Sequence, residues 1–379
     1  MQKLFILSPF CSDASSTWMS PGRSRKLHQL SDLVVNCNFS PLLYNTCPIK
    51  YLPLDSSLRV IQCCRYNFWL LRFVELFFNG CIASYSLRNA NVLRFVIYNS
   101  RLAEFIFFFP ILMVNRRKIK LCIQFEDLPS ARLSKSGIRG RLDKFVTQFL
   151  LDRANCATAV SETVKHTLLK QYRFHSSRVI IFPPLVDPAY LNLISKRKPP
   201  FSNSSIAIMY AGGYGPEKGV QTLIDAFINL NSSNFTLHLY GPVPEELRKM
   251  YSSVKNMFIH GQVALNDLYF AYSQADIVVN PHQVIKNASH IFPFKIIEIL
   301  ASGCLPLLTR MPGLELFDVP AVCFFNDSTS LTDKLLKSSA LFQANSSSLR
   351  KTFDIVNISH NPVIFKNYFK EFWVRCSYI

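Results

Sequence analysis

The chain has no apolar run long enough to cross a bilayer. Its longest, Phe105 to Val114, is ten residues with Pro110 inside it, whereas a spanning helix needs about twenty. Thiol metal spacing is missing too: eleven cysteines are scattered, with the pair Cys63 and Cys64 but no C-x-x-C and no His/Cys ligand pattern. An odd number without a framework reads as reduced thiols in a cytosolic compartment. There is no internal repeat and no D-x-D carboxylate pair in a suitable loop. Disorder is excluded as well, since 49% of the residues are hydrophobic and 17% charged, and the length allows two domains with full cores. The opening Met1 to Phe10 has one positive charge and a short apolar run. It stops too early for a signal peptide and no small-residue cleavage site follows, so it reads as a first buried strand.

What is present is unevenly charged. Residues 1–190 hold 25 Lys and Arg against 11 Asp and Glu, and residues 191–379 hold 17 against 13. Clusters such as Arg23 to Lys26 and Arg116 to Lys118 fit an anionic membrane surface, an anionic acceptor or an ordinary solvated face. Nucleic acid fits poorly, because the aromatic residues follow core periodicity and do not interleave with basic ones.

The first half alternates short apolar runs with longer amphipathic ones, as a parallel sheet covered by helices does. The expected strands are Leu4–Ser8, Pro41–Tyr44, Arg59–Cys63, Leu93–Tyr98, Leu121–Phe125, Ala157–Val160 and Val179–Phe182. Helices are expected at Ser100–Val114, Arg141–Asp152 and Glu162–Lys170. In open parallel sheets ligands lie beyond the carboxyl ends of the strands, so Glu126 and Asp127 are candidate acceptor or catalytic groups. A turn in which Asp127 satisfies local backbone is the other reading. A Pro/Ser-rich charged stretch then reads as a linker, dividing the chain into residues 1–188, a linker at 189–204, a second domain at 205–360 and a C-terminal helix, 361–379, that could pack back on the first domain.

The second half restarts with a strand, Ser205–Tyr210, followed by Gly212, Gly213, Gly215 and Lys218. Glycines between a strand and a helix let backbone N–H groups approach an anion, and the lysine adds a cation. Val220, Leu223, Ile224, Phe227 and Ile228 mark the core face of the next helix. Strands follow at Leu237–Tyr240, Met257–Ile259, Ile277–Asn280 and Leu305–Leu308. Before the last of these, Ser289 to Gly303 reads as a short buried helix, with Pro293 at its first position and Gly303 just past its end. Only Lys295, Glu298 and Ser302 form a polar seam on it. An i,i+3 salt bridge would satisfy that seam. An anionic ligand at the helix start would also do so, with Lys295 as counter-charge and Glu298 accepting from sugar hydroxyls.

With both motifs in view, Tyr210 to Gly219 and Phe292 to Gly303, the chain resembles the retaining, nucleotide-sugar-dependent glycosyltransferases of the GT-B fold, family 4 or group 1. The resemblance is good over about residues 205–310, while Pro184 to Asp187 looks like the family's interdomain segment and the first half matches in layout only. It implies two Rossmann-like α/β domains facing across a cleft. Lys218 falls on the family's phosphate-binding lysine, Gly212, Gly213 and Gly215 in its diphosphate loop, and Glu298 on the second glutamate of E-x7-E, which holds the donor ribose. Three positions depart. His290 stands where the first glutamate would be, with Phe292 and Pro293 as further donor-sugar-side candidates. Gly213 replaces a common arginine, for which Lys295 would substitute, and Glu126 replaces an active-site histidine.

The resemblance further implies hexose transfer from a nucleotide-diphosphate sugar to a glycan or lipid-linked acceptor, in cell-surface polysaccharide or lipopolysaccharide synthesis. It implies no metal and no cofactor, lysines taking the place of Mg²⁺ at the leaving diphosphate, and names no obligatory protein nucleophile. With a basic first domain, the expected location is cytoplasmic, peripheral on the inner face of a membrane. The rival readings are a GT-B protein that is not a transferase, such as a nucleotide-sugar 2-epimerase or an inactive partner subunit, and a Rossmann dehydrogenase, for which the G-x-G-x-x-G spacing is missing.

Overall fold

A computed structural model describes residues 2–9, 21–48, 59–126, 128, 138–197, 199–202, 205–283, 294–311 and 314–378. The chain divides into two compact units. One holds the described residues up to Pro184 and from Phe365 on; the other runs from Leu185 to Ile364.

In the first unit the strands are β1 (Gln2–Ser8), β2 (Phe39–Asn45), β3 (Arg59–Gln62), β4 (Leu93–Tyr98), β5 (Ile119–Phe125), β6 (Cys156–Ala159) and β7 (Val179–Ile181). They form one parallel sheet in the order β3-β2-β1-β4-β5-β6-β7. Leu4 to Leu7 are buried on both faces, the continuous apolar pattern that a doubly covered parallel strand requires. The intervening helices are α1 (Pro21–Asn36), α2 (Trp69–Ser86), α3 (Leu102–Asn115), α4 (Ile138–Leu151) and α5 (Glu162–Tyr172). Ser161 caps α5, its hydroxyl accepting from Val164 N–H, as its sequence position predicts.

A buried lysine ties the end of this unit together. Lys26, 1% exposed, donates to the carbonyls of Phe182, at 2.7 Å, and Pro183. Its ammonium also lies 3.4 Å from the centroid of the Phe182 ring. The ring's other neighbours come from the C-terminal helix α14 (Pro362–Tyr378): Phe365 stacks on it at 5.4 Å and Phe369 lies tilted against it at 5.3 Å. Trp373 continues the column onto Phe369 and meets Phe39 edge-on.

The second unit opens with a helix where the sequence reads as linker, α6 (Pro188–Ile194). Proline sits at its first turn and the Asp187 carboxylate caps it, accepting from Ala189 N–H at 2.8 Å. Local capping chemistry thus outweighs the irregular composition around it. The strands are β8 (Ile206–Ala211), β9 (Phe235–Tyr240), β10 (Met257–Gly261), β11 (Ile277–Asn280) and β12 (Leu305–Leu308), again all parallel, in the order β10-β9-β8-β11-β12. Helices α7 (Val220–Leu230), α8 (Glu245–Met250), α9 (Leu265–Gln274), α10 (Phe294–Ala301), α11 (Ser328–Leu336), α12 (Ser338–Ala344) and α13 (Ser346–Ser359) complete it.

Helix α7 buries Val220, Leu223, Ile224 and Phe227 against β8, β9 and β11. Ile228, expected on the same face, is 44% exposed, because at 3.6 residues per turn it rotates past the edge of the core-facing arc. In α10, Ile296, Ile297, Ile299 and Leu300 are buried, and Gly303 follows at φ +72°, the left-handed termination expected there.

Candidate functional site

The sheet of the second unit has β8 at its centre, and its carboxyl end is where backbone and cations converge. After β8, Gly212 N–H donates to Tyr240 O at 3.1 Å, turning the chain across the top of β9. Side chains are excluded here by contact: a Cβ on Gly212 would lie 2.8 Å from the Tyr210 hydroxyl and 3.2 Å from Lys295 Nζ. Tyr210, fully buried, supports the loop from beneath by donating to Gly213 O at 2.5 Å. Burial pushes its phenol pKa up, with Tyr214 next in effect, so it stays a neutral donor.

The loop continues through a single turn, Pro216–Lys218, to Gly219 at φ +64°. Here the loop meets the segment that leaves β11. Gln283 N–H donates to Glu217 O at 2.9 Å, and Gly219 packs so closely on Pro281 O that a Cβ would collide with it. This contact sets His282 beside Lys218, Nε2 to Nζ at 3.4 Å. His282 Nδ1 lies 3.0 Å from the Gln283 carbonyl, which assigns the proton to Nδ1 and leaves Nε2 to accept from the lysine. Burial lowers the His282 pKa, partly offset by that carbonyl bond and reinforced by Lys218 and Lys295. Thr309, just past β12, ties the same segment down by donating to Asn280 O through its backbone and to His282 O through its hydroxyl.

Lys295 arrives from the first turn of α10. It is half-buried, with Nζ 4.8 Å from the centroid of the Tyr210 ring. Burial first, and the charge of Lys218 second, push its ammonium down to about 7. A lysine whose ammonium is depressed in part by a neighbouring lysine's charge marks a site short of negative charge. Glu217, 3.5 Å from Lys218, offsets part of it; its carboxyl pKa is lowered first by its own backbone N–H and further by Lys218. Two buried polar atoms nearby, Tyr214 Oη and Asn280 Oδ1, have no hydrogen-bond partner among the described residues.

Gly212, Gly213, Lys218 and Lys295 are therefore brought together. Gly215 stands at the entry to the same turn, facing the Glu217 carboxylate. Glu298, one turn beyond Lys295, is 7% exposed, and its carbonyl accepts from the Tyr190 hydroxyl at 2.8 Å. Glu126 belongs to the other unit, where its carboxylate accepts from the Tyr98 hydroxyl and its N–H donates to Asn99 Oδ1 at 2.8 Å. Asp127, His290, Phe292 and Pro293 lie outside the described residues. No group of three or more His, Cys, Asp or Glu among the described residues is arranged to hold a metal ion. A cavity of about 690 Å³ in the same unit lies at the opposite end of α10, around Ser302 and Asn357. There Arg197 is committed to the carbonyls of Ser302 and Ala275, at 2.6 Å each.

Residues 205–339 match the family model described as Glycosyl transferases group 1. The chain carries a group 1 glycosyltransferase domain, and that match spans every strand of the second unit. No curated protein matches the chain in sequence. Among solved structures it is similar to the sucrose-phosphate synthase of Thermosynechococcus elongatus, at 15% identity over 99% of both chains and a TM-score of 0.72. Anabaena Alr3699/HepE in complex with UDP is similar at 12% identity, 99% of this chain and 100% of that one, with a TM-score of 0.69. WaaG, a glycosyltransferase involved in lipopolysaccharide biosynthesis, is similar at 14% identity, 97% and 98% coverage and a TM-score of 0.64. At such identities the likeness shows the fold, which is GT-B with a seven-stranded and a five-stranded parallel sheet.

Proposed function

We propose that the group 1 domain binds a nucleotide-diphosphate sugar and that the protein transfers its hexose, with retention, to a glycan or lipid-linked acceptor in cell-surface polysaccharide or lipopolysaccharide synthesis. The observation that carries this reading is the pairing of Lys218 and Lys295 over the Gly212–Gly213 backbone at the carboxyl end of β8. Two cations forced together in a partly desolvated place are stabilised by a dianion between them, and a diphosphate has the matching charge. The complex of HepE with UDP supports the same class of donor.

In this reading the Gly-loop N–H groups, Lys218 and Lys295 stabilise the diphosphate as it departs, which is where negative charge grows as the glycosidic bond breaks. The lysines supply the charge that a metal ion would otherwise bring. Glu298 holds the ribose. The departing phosphate takes the acceptor's proton on the face it leaves, so retention needs no protein nucleophile. Glu126, bonded to Tyr98, is left with a supporting role in the acceptor unit.

The basic first half supports an acceptor side that works at an anionic membrane surface, on the cytoplasmic face. Among the described residues no helix is long and apolar enough to cross a membrane. The test of the donor site is calorimetric titration with UDP, GDP and ADP in the absence of metal. Micromolar binding of one nucleotide, abolished by both Lys295→Ala and Glu298→Ala, supports the reading and selects the sugar nucleotides to assay. Absence of binding to all three overturns it in favour of a GT-B protein without a donor.

A further inference from the structure

Helix α2 turns an apolar face outward. At 100° per residue, Leu70, Val74, Phe77, Phe78, Ile82 and Tyr85 fall on one arc of about 140° that contains no polar side chain. All six are exposed, Phe78 by 61% and Ile82 and Tyr85 by 64%. This arc is not the one that holds the helix to its unit. Leu76, Gly80, Ala83 and Ser84 do that from the other side, where Gly80 admits the Phe107 carbonyl of α3 and Ser84 Oγ donates to Pro110 O at 3.3 Å. A helix with one packed apolar face and a second, uncovered one is built for two apolar environments.

The surroundings of that arc identify the second environment. Tyr66 and Trp69 stand exposed at its amino end and Tyr85 at its carboxyl end, the aromatic types that favour the headgroup level of a bilayer. Arg65, Arg88, Arg116 and Arg117 are exposed beyond the two ends, and α3 finishes next to them with Met113 and Val114 exposed. From Arg65 to Lys118 the only acids are Glu75 and Glu104. Glu104 is buried and accepts from the Thr46 hydroxyl at 2.6 Å; Glu75 accepts from the backbone of Arg65, at 2.6 Å, and Tyr66. A second copy of the chain would set these arginines against their own kind, whereas an anionic bilayer pairs them.

We propose that α2 lies flat in the headgroup–acyl boundary of an anionic bilayer, its apolar strip of about 23 Å inserted between lipids and its arginines on the phosphates. This rests on the reading that the acceptor unit works at a membrane, and it adds an insertion that salt does not reverse.

The test is flotation of the purified full chain with vesicles of phosphatidylcholine alone or mixed with phosphatidylglycerol, at low and high salt. Two variants are compared, Phe78→Glu/Ile82→Glu and Arg116→Glu/Arg117→Glu, each checked by circular dichroism and by unchanged nucleotide affinity. The expected result is that the wild type keeps a large bound fraction on anionic vesicles at high salt. Phe78→Glu/Ile82→Glu then loses at least tenfold of it, and the arginine variant loses mainly the salt-sensitive part. Wild type released completely by salt overturns the insertion and leaves the electrostatic reading standing. Wild type that binds no vesicle at any salt overturns both. A wild-type dimer in light scattering that Phe78→Glu/Ile82→Glu makes monomeric, without vesicle binding, assigns the face to a second copy and also overturns the insertion.

Discussion

Lys218 Nζ lies 3.4 Å from His282 Nε2, although the two residues follow different strands, β8 and β11. The imidazole accepts from the lysine and carries its own proton on the far nitrogen. It therefore fixes the direction of the ammonium without adding to the positive charge that Lys218 and Lys295 already share.

That shared charge makes nucleotide binding depend on protons. Lys295, held at about 7 without ligand, rises when a diphosphate arrives, so binding takes up a proton above pH 7 and weakens as pH rises towards the bound-state value. The affinity loss for one coupled proton is at most about tenfold per pH unit. Titrations of a nucleoside diphosphate at pH 8, in buffers of different ionisation enthalpy, are expected to show uptake for the wild type and none for Lys295→Met. Equal proton uptake by the two proteins would remove Lys295 from the site.

Gly241 contacts the glycine loop that follows β8 from outside. At φ +125° its Cβ position collides with Gly212 O, so Gly241→Ala must displace the loop backbone. The variant should lose about 1–3 kcal/mol of stability and at least tenfold in nucleotide affinity, measured by urea denaturation and calorimetry. Gly303→Ala is the control. It has a left-handed φ of +72° with no neighbour within 4 Å, and should cost about 1 kcal/mol with affinity unchanged.

Lys26 should make the first unit more stable in mild alkali. Burial holds its pKa well below the ordinary value, with Glu126 opposing. The unfolded chain thus binds the proton more tightly, and stability rises with pH between the folded value and the unfolded value near 10.5. Lys26→Met leaves the Phe182 and Pro183 carbonyls without this donor and should cost about 1–3 kcal/mol at pH 7. The cost should be larger at pH 9.5, because the wild type gains there. A cost that shrinks with pH would show that the charged form is the stabilising one.

His238 titrates in the opposite range. Stacked between Phe258 at 5.0 Å and His260 at 5.3 Å, it is pushed down to about 4, by burial first and His260 second. Its contribution is complete above pH 6.5 and is lost as pH falls from there to about 4. Denaturation midpoints of His238→Phe should fall less steeply with acid across that window than those of the wild type. Parallel curves would assign the acid sensitivity elsewhere.

Much of this was legible residue by residue. The bounds of β4, β11 and β12 follow from their apolar runs alone, because a strand buried on both faces has no alternation to misread. The cation pair was legible as a Gly-rich loop with Lys218 and as a polar seam with Lys295. His282 was not, since its position comes from the Gln283–Glu217 backbone bond, a tertiary contact with no spacing in the sequence. Helix α2 escaped for a different reason. Its polar side chains Arg72, Glu75, Asn79 and Ser86 share an arc of only about 60°, and the wide apolar remainder hides the helical period.

The strand order β10-β9-β8-β11-β12 also sets when the site can exist. β8 is the first strand made in its unit yet lies in the middle, and one side of it waits for β11, synthesised only after β9, β10 and three helices. His282 and Lys295 come later still. A ribosome-bound chain ending before α10 would carry the Gly loop and Lys218 but no second cation, so the paired-lysine site is confined to the finished domain.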